Sequence, residues 1–295
     1  LKSILKNARQ VAVDMDESLP LRIQAIEVLS RGSDLHDGVV AALAELIQPT
    51  GNPDVRYDAI AAVGNIPKLE SAKMLLGAWP SLQPNERAKA LDVLLSRPAW
   101  QGELLDALQT KRISSNGFSP VHRDRLLKSR NKSIAERAKR IFDIVVSPDR
   151  AEALAKFLPA LNLEGNSEAG LAVYTMLCAE CHAPDKQLGP DLRSITDRTG
   201  KGLLASIIDP SGQVDPRYIA YTAEFKDGRA LVGIIGSESG ESLQIKVPGV
   251  GDQSINRNQI KSLYSLDQSL MPNGLEAGLT QQNMADLIVF LRKST

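Results

Sequence analysis

Histidine and cysteine are scarce in this 295-residue chain, which holds three His and two Cys. Two cysteines cannot staple a disulfide-framed miniprotein. His36 and His122 have no nucleophile signature beside them, so no Ser/His/Asp set is assembled and both read as structural or surface residues. Long apolar runs are missing too. Stretches such as 287–291 fall far short of the roughly 20 residues a membrane-spanning helix needs. Glycine has no strict period, and 43% hydrophobic residues is too many for a chain disordered throughout. There is no net charge, and the opening Leu1-Lys2-Ser3 has neither an initiator Met nor an apolar signal core, which reads as an excised or mature fragment.

What is present suggests two domains, at about 150 residues per domain. The first half repeats a helix opening: Pro20-Leu21-Arg22, Pro53-Asp54-Val55-Arg56, Pro84-Asn85-Glu86-Arg87 and, without proline, Arg137-Ala138. The four arginines are 34, 31 and 50 residues apart. Proline in the first turn costs no hydrogen bond, and small and branched apolar residues follow at helical spacing, giving each unit a face it cannot bury alone. The pattern resembles HEAT-type repeats, which implies an α-solenoid. Trp79 and Trp100 read as core. Between Lys111 and Arg140 stand ten basic residues against two acidic ones, Asp124 and Glu136. Without aromatic interleaving this is no nucleic-acid motif; it reads as a solvated face or as a dock for an acidic surface.

The helical pattern breaks at Ser147-Pro148-Asp149, resumes over 151–161 and breaks again at Glu164-Gly165-Asn166. This places a first domain at 1–150, a linker at 151–165 and a second domain at 166–295. Asn166 or Ser167 is expected to cap a helix running to about Leu177, with Gly170 and Tyr174 on one face. A second helix is expected over 202–208. Residues 218–226, 229–237 and 242–247 then alternate or run apolar, separated by Asp227-Gly228 and Ser239-Gly240, so a small antiparallel sheet is predicted over about 218–264. Helix returns after Thr280.

Both cysteines lie in Cys178-Ala179-Glu180-Cys181-His182, and C-x-x-C-H is the attachment pattern for c-type haem. One helical turn sets two thiols where they can add to two vinyl groups, and places an imidazole beneath the iron. Three other readings compete. Zinc needs a fourth ligand, and only His36 and His122 remain as nitrogen donors, both in the other half. A thioredoxin-like dithiol expects a βαβ setting, and a disulfide closed within four residues is strained. Asp252-x-Ser254-x-Asn256 imitates a calcium loop but puts Arg257 where glycine must turn. Gly249-Val250-Gly251 opens no helix and is a turn.

With Gly189-Pro190-Asp191-Leu192 downstream, then Leu270-Met271-Pro272-Asn273-Gly274-Leu275 and the terminal apolar helix, residues 166–295 resemble mono-haem cytochrome c. The runs Asp209-Pro210-Ser211, Asp227-Gly228-Arg229 and 269–275 narrow this to the haem-binding domain of planctomycete and verrucomicrobial proteins. The resemblance implies a mainly α chain: a HEAT-like solenoid followed by a cytochrome c-type helical domain with an inserted sheet. It implies one covalent haem c on Cys178 and Cys181, with His182 and Met271 as iron ligands. Pro190 would hold His182 Nδ1, Arg193 or Arg198 would pair with a propionate, and Gly170 and Tyr174 would pack on Phe290. Met176 and Met284, the competing sulfurs, are expected in helix cores. His182 and Met271 are 89 residues apart, and the inserted sheet accounts for the excess over small cytochromes of this fold.

The expected role is one-electron outer-sphere transfer, as the outlet of a fused or separate dehydrogenase and not as an enzyme alone. The location would be periplasmic or extracytoplasmic, where haem c is attached. An interaction scaffold with structural haem and a peroxidase with an open sixth site are the alternatives.

Overall fold

The structure is a computed structural model that describes residues 2–32, 37–48, 51–142, 146–195 and 197–293; His36 lies outside them. The chain is mainly helical, with one five-stranded antiparallel sheet in its second half.

Nine helices precede residue 143 among the described residues: α1 (Lys2–Val13), α2 (Leu19–Arg31), α3 (Asp37–Leu46), α4 (Pro53–Val63), α5 (Leu69–Ala78), α6 (Pro84–Leu94), α7 (Pro98–Gln109), α8 (Pro120–Leu127) and α9 (Lys132–Phe142). Proline stands in the first turn of α2, α4, α6, α7 and α8, where its missing N–H costs nothing. Contacts skip along the chain, with α2 on α4 and α4 on α6, and with α1 on α3, α3 on α5, α5 on α7 and α7 on α9. One apolar core runs through them from Leu5 to Ala138 and includes Trp79 and Trp100, both almost fully buried. The repeated arginines brace backbone: Arg22 Nε donates to Ala12 O at 3.0 Å, a nitrogen of Arg56 to Ser81 O at 2.9 Å, and Arg87 Nε to Leu82 O at 3.0 Å.

The segment read as a linker is folded. It forms α10 (Ala151–Phe157) and a 3-10 turn (Leu158–Asn162), and it buries Phe157 and Ala160 in a second core with α11 (Ser167–Leu177), α13 (Gly200–Ile208) and α14 (Gln281–Lys293). Asn166 caps α11, its Oδ1 accepting from Glu168 N at 2.8 Å and Ala169 N at 3.1 Å. Thr199 caps α13 through Gly202 N at 3.0 Å.

The strands are β1 (Ile219–Phe225), β2 (Ala230–Glu238), β3 (Ser242–Val247), β4 (Gly251–Asn256) and β5 (Ile260–Ser269), in the order β4-β3-β2-β1-β5. The first three match the alternating runs, and the Asp227-Gly228 turn uses φ +90° at Gly228. β5 closes the far edge against β1, so the sheet extends to Ser269 and not to about 264. Its apolar side forms a third core.

The sheet also meets the first half. Tyr221 Oη donates to Leu82 O at 2.8 Å, and Arg87 pairs with Asp267 at 2.5 Å. Deeper in, Arg56 pairs with Glu86 at 2.9 Å, both fully buried, and Arg257 pairs with Glu238. Burial pushes the Glu86 carboxyl up to about 7, against the pull of Arg56.

Candidate functional site

The site is built where α11 ends. Leu177 closes the helix, but the backbone keeps turning: Cys178 N donates to Tyr174 O at 2.8 Å, and Cys178 O accepts from Cys181 N at 3.1 Å and from His182 N at 2.9 Å. The turn α12 (Ala179–His182) follows. Cys181 and His182 therefore stand one helical turn beyond Cys178, on its side of the helix.

Both thiols are free. Burial pushes Cys178 up to about 11, and burial with Glu180 beside it raises Cys181. Protonated thiols at neutral pH are the opposite of a thioredoxin-type nucleophile, whose thiolate is stabilised. Among the described residues no three His, Cys, Asp or Glu side chains group to hold a metal ion.

His182 is held from two sides. Its Nδ1 donates to the Pro190 carbonyl at 2.8 Å, the contact the resemblance implied. Gly189 lies flat against the ring: a Cβ there would fall 2.5 Å from Cε1 and 2.7 Å from Nδ1. The Gly189 N–H donates to Cys181 O at 2.9 Å, tying the loop to the turn. Burial lowers the pKa of His182, keeping the imidazole neutral, although the bond to Pro190 pulls the other way. With Nδ1 carrying the proton, Nε2 is left as the basic nitrogen. A Gly189→Ala substitution is expected to push the ring off Pro190 and out toward solvent, where the lost burial, the larger cause, outweighs the lost bond and returns its titration toward the ordinary histidine range. An NMR titration of the ring protons checks this, and an unchanged midpoint would refute it.

The helix crossing behind the turn depends on a missing side chain. A Cβ at Gly170 would lie 2.1 Å from the Asp286 carbonyl oxygen, so α11 and α14 meet backbone to backbone. Tyr174 and Phe290 fill the space beside it, ring centroids 5.2 Å apart and tilted by 42°. Buried Asp286 accepts from Asn166 N at 2.7 Å.

The remaining expected site residues each make contacts of their own. Met271 is half-buried in the loop after β5, its N–H on Ser269 Oγ at 3.1 Å. Arg193 is exposed and forked onto Asp191, at 2.8 Å in the shorter contact, and Arg198 donates to Leu291 O and to Arg193 O. Both arginines thus have partners within the protein. Met284 is fully buried, as expected, but Met176 is 70% exposed. The buried stripe of α11 runs through Gly170 and Val173, and position 176 falls off it.

His122 is buried, bonded to Ser119 Oγ through Nδ1 at 3.0 Å and facing Asp92, which fits a structural role. In the basic stretch, Arg125 pairs with Asp92, Lys128 with Asp124 and Arg137 with Asp106, while Lys132, Lys139 and Arg140 are exposed on α9.

The pentad and Pro190 are legible in the sequence, whereas the ring contact of Gly189 has no signal there beyond the dipeptide. The chain matches no protein family and no curated protein.

Proposed function

We propose that residues 166–295 form a mono-haem c-type cytochrome unit, with Cys178 and Cys181 bearing the thioethers, His182 the proximal nitrogen and Met271 the distal sulfur. The observation that carries the reading is the 2.8 Å bond from His182 Nδ1 to Pro190 O, on the same turn as two free protonated thiols. That bond fixes the tautomer an axial histidine needs. Cys178 and Cys181 would hold the haem through thioethers, each S–H being added across a C=C so that the hydrogen goes to the neighbouring carbon and no outside oxidant is needed. Haem c held there would supply single-electron exchange, with His182 and Met271 both given to the iron.

The tight α11–α14 crossing supports a cytochrome c-type arrangement, and the resemblance to planctomycete and verrucomicrobial haem-binding domains is kept as the family reading. The skipping helix contacts of the first half support HEAT-like stacking. In this reading the chain is the electron outlet of a fused or partner dehydrogenase, located in the periplasm or otherwise outside the cytoplasm. Exposed Lys132, Lys139 and Arg140 favour an acidic docking partner. Among the described residues no helix is long and apolar enough to cross a membrane.

Expression with a cytochrome c maturation system is expected to give a mass increase of one haem per chain that survives denaturant. The Cys178→Ala/Cys181→Ala double variant is expected to stay unmodified. An unmodified wild-type chain from that host would overturn the reading. Rapid carbon monoxide binding by the reduced protein would replace it with the open-site peroxidase.

A further inference from the structure

We propose that Arg87 and Asn116, both in the helical first half, are positioning residues for Met271; the inference rests on Met271 being the distal ligand.

Met271 stands two residues past the end of β5 and is rooted through a chain of contacts. Its N–H donates to Ser269 Oγ at 3.1 Å, and the Ser269 N–H donates to Ser211 Oγ at 3.1 Å, just beyond the end of α13. Two residues before Ser269, Asp267 sits at φ +52°, in the left-handed region that residues with a Cβ adopt uncommonly, and its surroundings fix it there. Three groups do so. Arg87 binds its Oδ1 at 2.5 Å, Asn116 Nδ2 donates to its carbonyl at 2.9 Å, and Ser265 Oγ accepts from its N–H at 2.9 Å.

Arg87 is a rigid anchor. It is fully buried, donates to Leu82 O at 3.0 Å and to Trp79 O at 3.1 Å, and places its guanidinium 5.0 Å from the Trp79 ring centroid and 5.7 Å from that of Tyr221. A guanidinium fixed at every nitrogen offers its neighbour one geometry. Buried Asn116 adds a second point from the same half. In the loop beyond, Pro272 is exposed and Gly274 has φ +88°. A sulfur on a flexible unbranched side chain is thereby given a fixed root, and Arg87 and Asn116 of the helical half help to set it. That half does more than carry the haem unit; it determines how firmly the sixth ligand is held.

The test uses the full haem-loaded chain and the haem-free chain, each as wild type and as Asn116→Ala, Asp267→Asn and Arg87→Lys, with Met271→Ala as the limiting case. In the loaded variants the haem is expected to stay covalent, the ferric sulfur-to-iron band to weaken, and carbon monoxide binding to the reduced protein to accelerate tenfold or more, toward the Met271→Ala rate. In the haem-free variants, amide exchange over residues 268–274 is expected to accelerate by a similar factor. Arg87→Lys, which keeps the charge but loses the fork, is expected to fall between wild type and Asp267→Asn. If Arg87→Lys does not fold, the other two substitutions carry the test. Wild-type carbon monoxide kinetics and exchange in both of those variants, with Met271→Ala altered, would overturn the positioning role and leave the distal assignment standing. A Met271→Ala protein with unchanged spectrum would remove the assignment and the positioning role together.

Discussion

Gly170→Ala is expected to loosen the second core by about 3 kcal/mol or more, at the upper end of the cost of overpacking. The added carbon would meet the Asp286 carbonyl oxygen at 2.1 Å and Phe290 Cβ at 2.7 Å, and neither neighbour is the free end of a flexible side chain. The helices must part, which also strips Asn166 N from Asp286 and pulls Tyr174 off Phe290. Alanine is otherwise the better helix former, so propensity alone predicts the opposite sign, by about 1 kcal/mol. Urea unfolding of the haem-free chain decides between them, with Leu171→Ala, which alters a half-exposed neighbour, as the control expected to stay close to wild type. A Gly170→Ala midpoint at or above wild type would mean that the helices are not in backbone contact.

Arg56→Met is expected to cost about 3–5 kcal/mol at pH 8, the range for removing one partner of a buried ion pair. The substitution leaves Glu86 buried without its cation and takes the donor from Ser81 O. The cost is expected to shrink toward pH 6. Burial already raises Glu86 to about 7, and without Arg56 it rises further, so the carboxyl takes up a proton in the folded state and sheds its charge. A carboxyl raised on folding contributes stability that is complete below its unfolded value near 4.5 and is lost as pH rises through the folded value. The stability of the variant should therefore fall more steeply with pH than that of wild type, between about pH 6 and 8. Arg56→Met/Glu86→Leu should recover much of the loss and flatten that slope. Glu238 and Arg257 still face the pocket in the double variant, paired with each other. A single variant with a pH-independent cost would show that Glu86 is not the group left charged.

The legible parts of the chain were those written in short-range pattern. The cap at Asn166, the helix to Leu177, the first three strands and the terminal helix follow from residues within a turn or a hairpin of one another. β4 was not legible: in Gly251–Asn256 only Ile255 is buried, and the segment is a strand because β3 pairs with it from Val247↔Gly251 to Ser242↔Asn256. Met176 was misplaced because an apolar residue on a helix is read as core until the buried face is known. The packing of residues 151–162 was not legible, because the breaks at 147–149 and 164–166 say where helices stop, and not whether the helix between them finds a core.

The sequence by itself determined the mainly helical character, the position of the sheet and the spacing that puts Cys178, Cys181 and His182 on one turn, because each depends on local periodicity and turn chemistry. Pro190 as the partner of His182 came from resemblance to a known motif. Only the tertiary structure decided what the repeated arginines do. Arg22 braces the backbone of the preceding helix, Arg56 reaches Ser81 and Glu86, and Arg87 reaches across 180 residues to Asp267. A buried guanidinium is stable only with its hydrogen bonds satisfied, and its partners are backbone carbonyls and carboxylates brought close by folding and not by sequence. For the same reason the polar contacts that join the two halves are absent from the linear pattern: each links two distant segments and leaves no period to read.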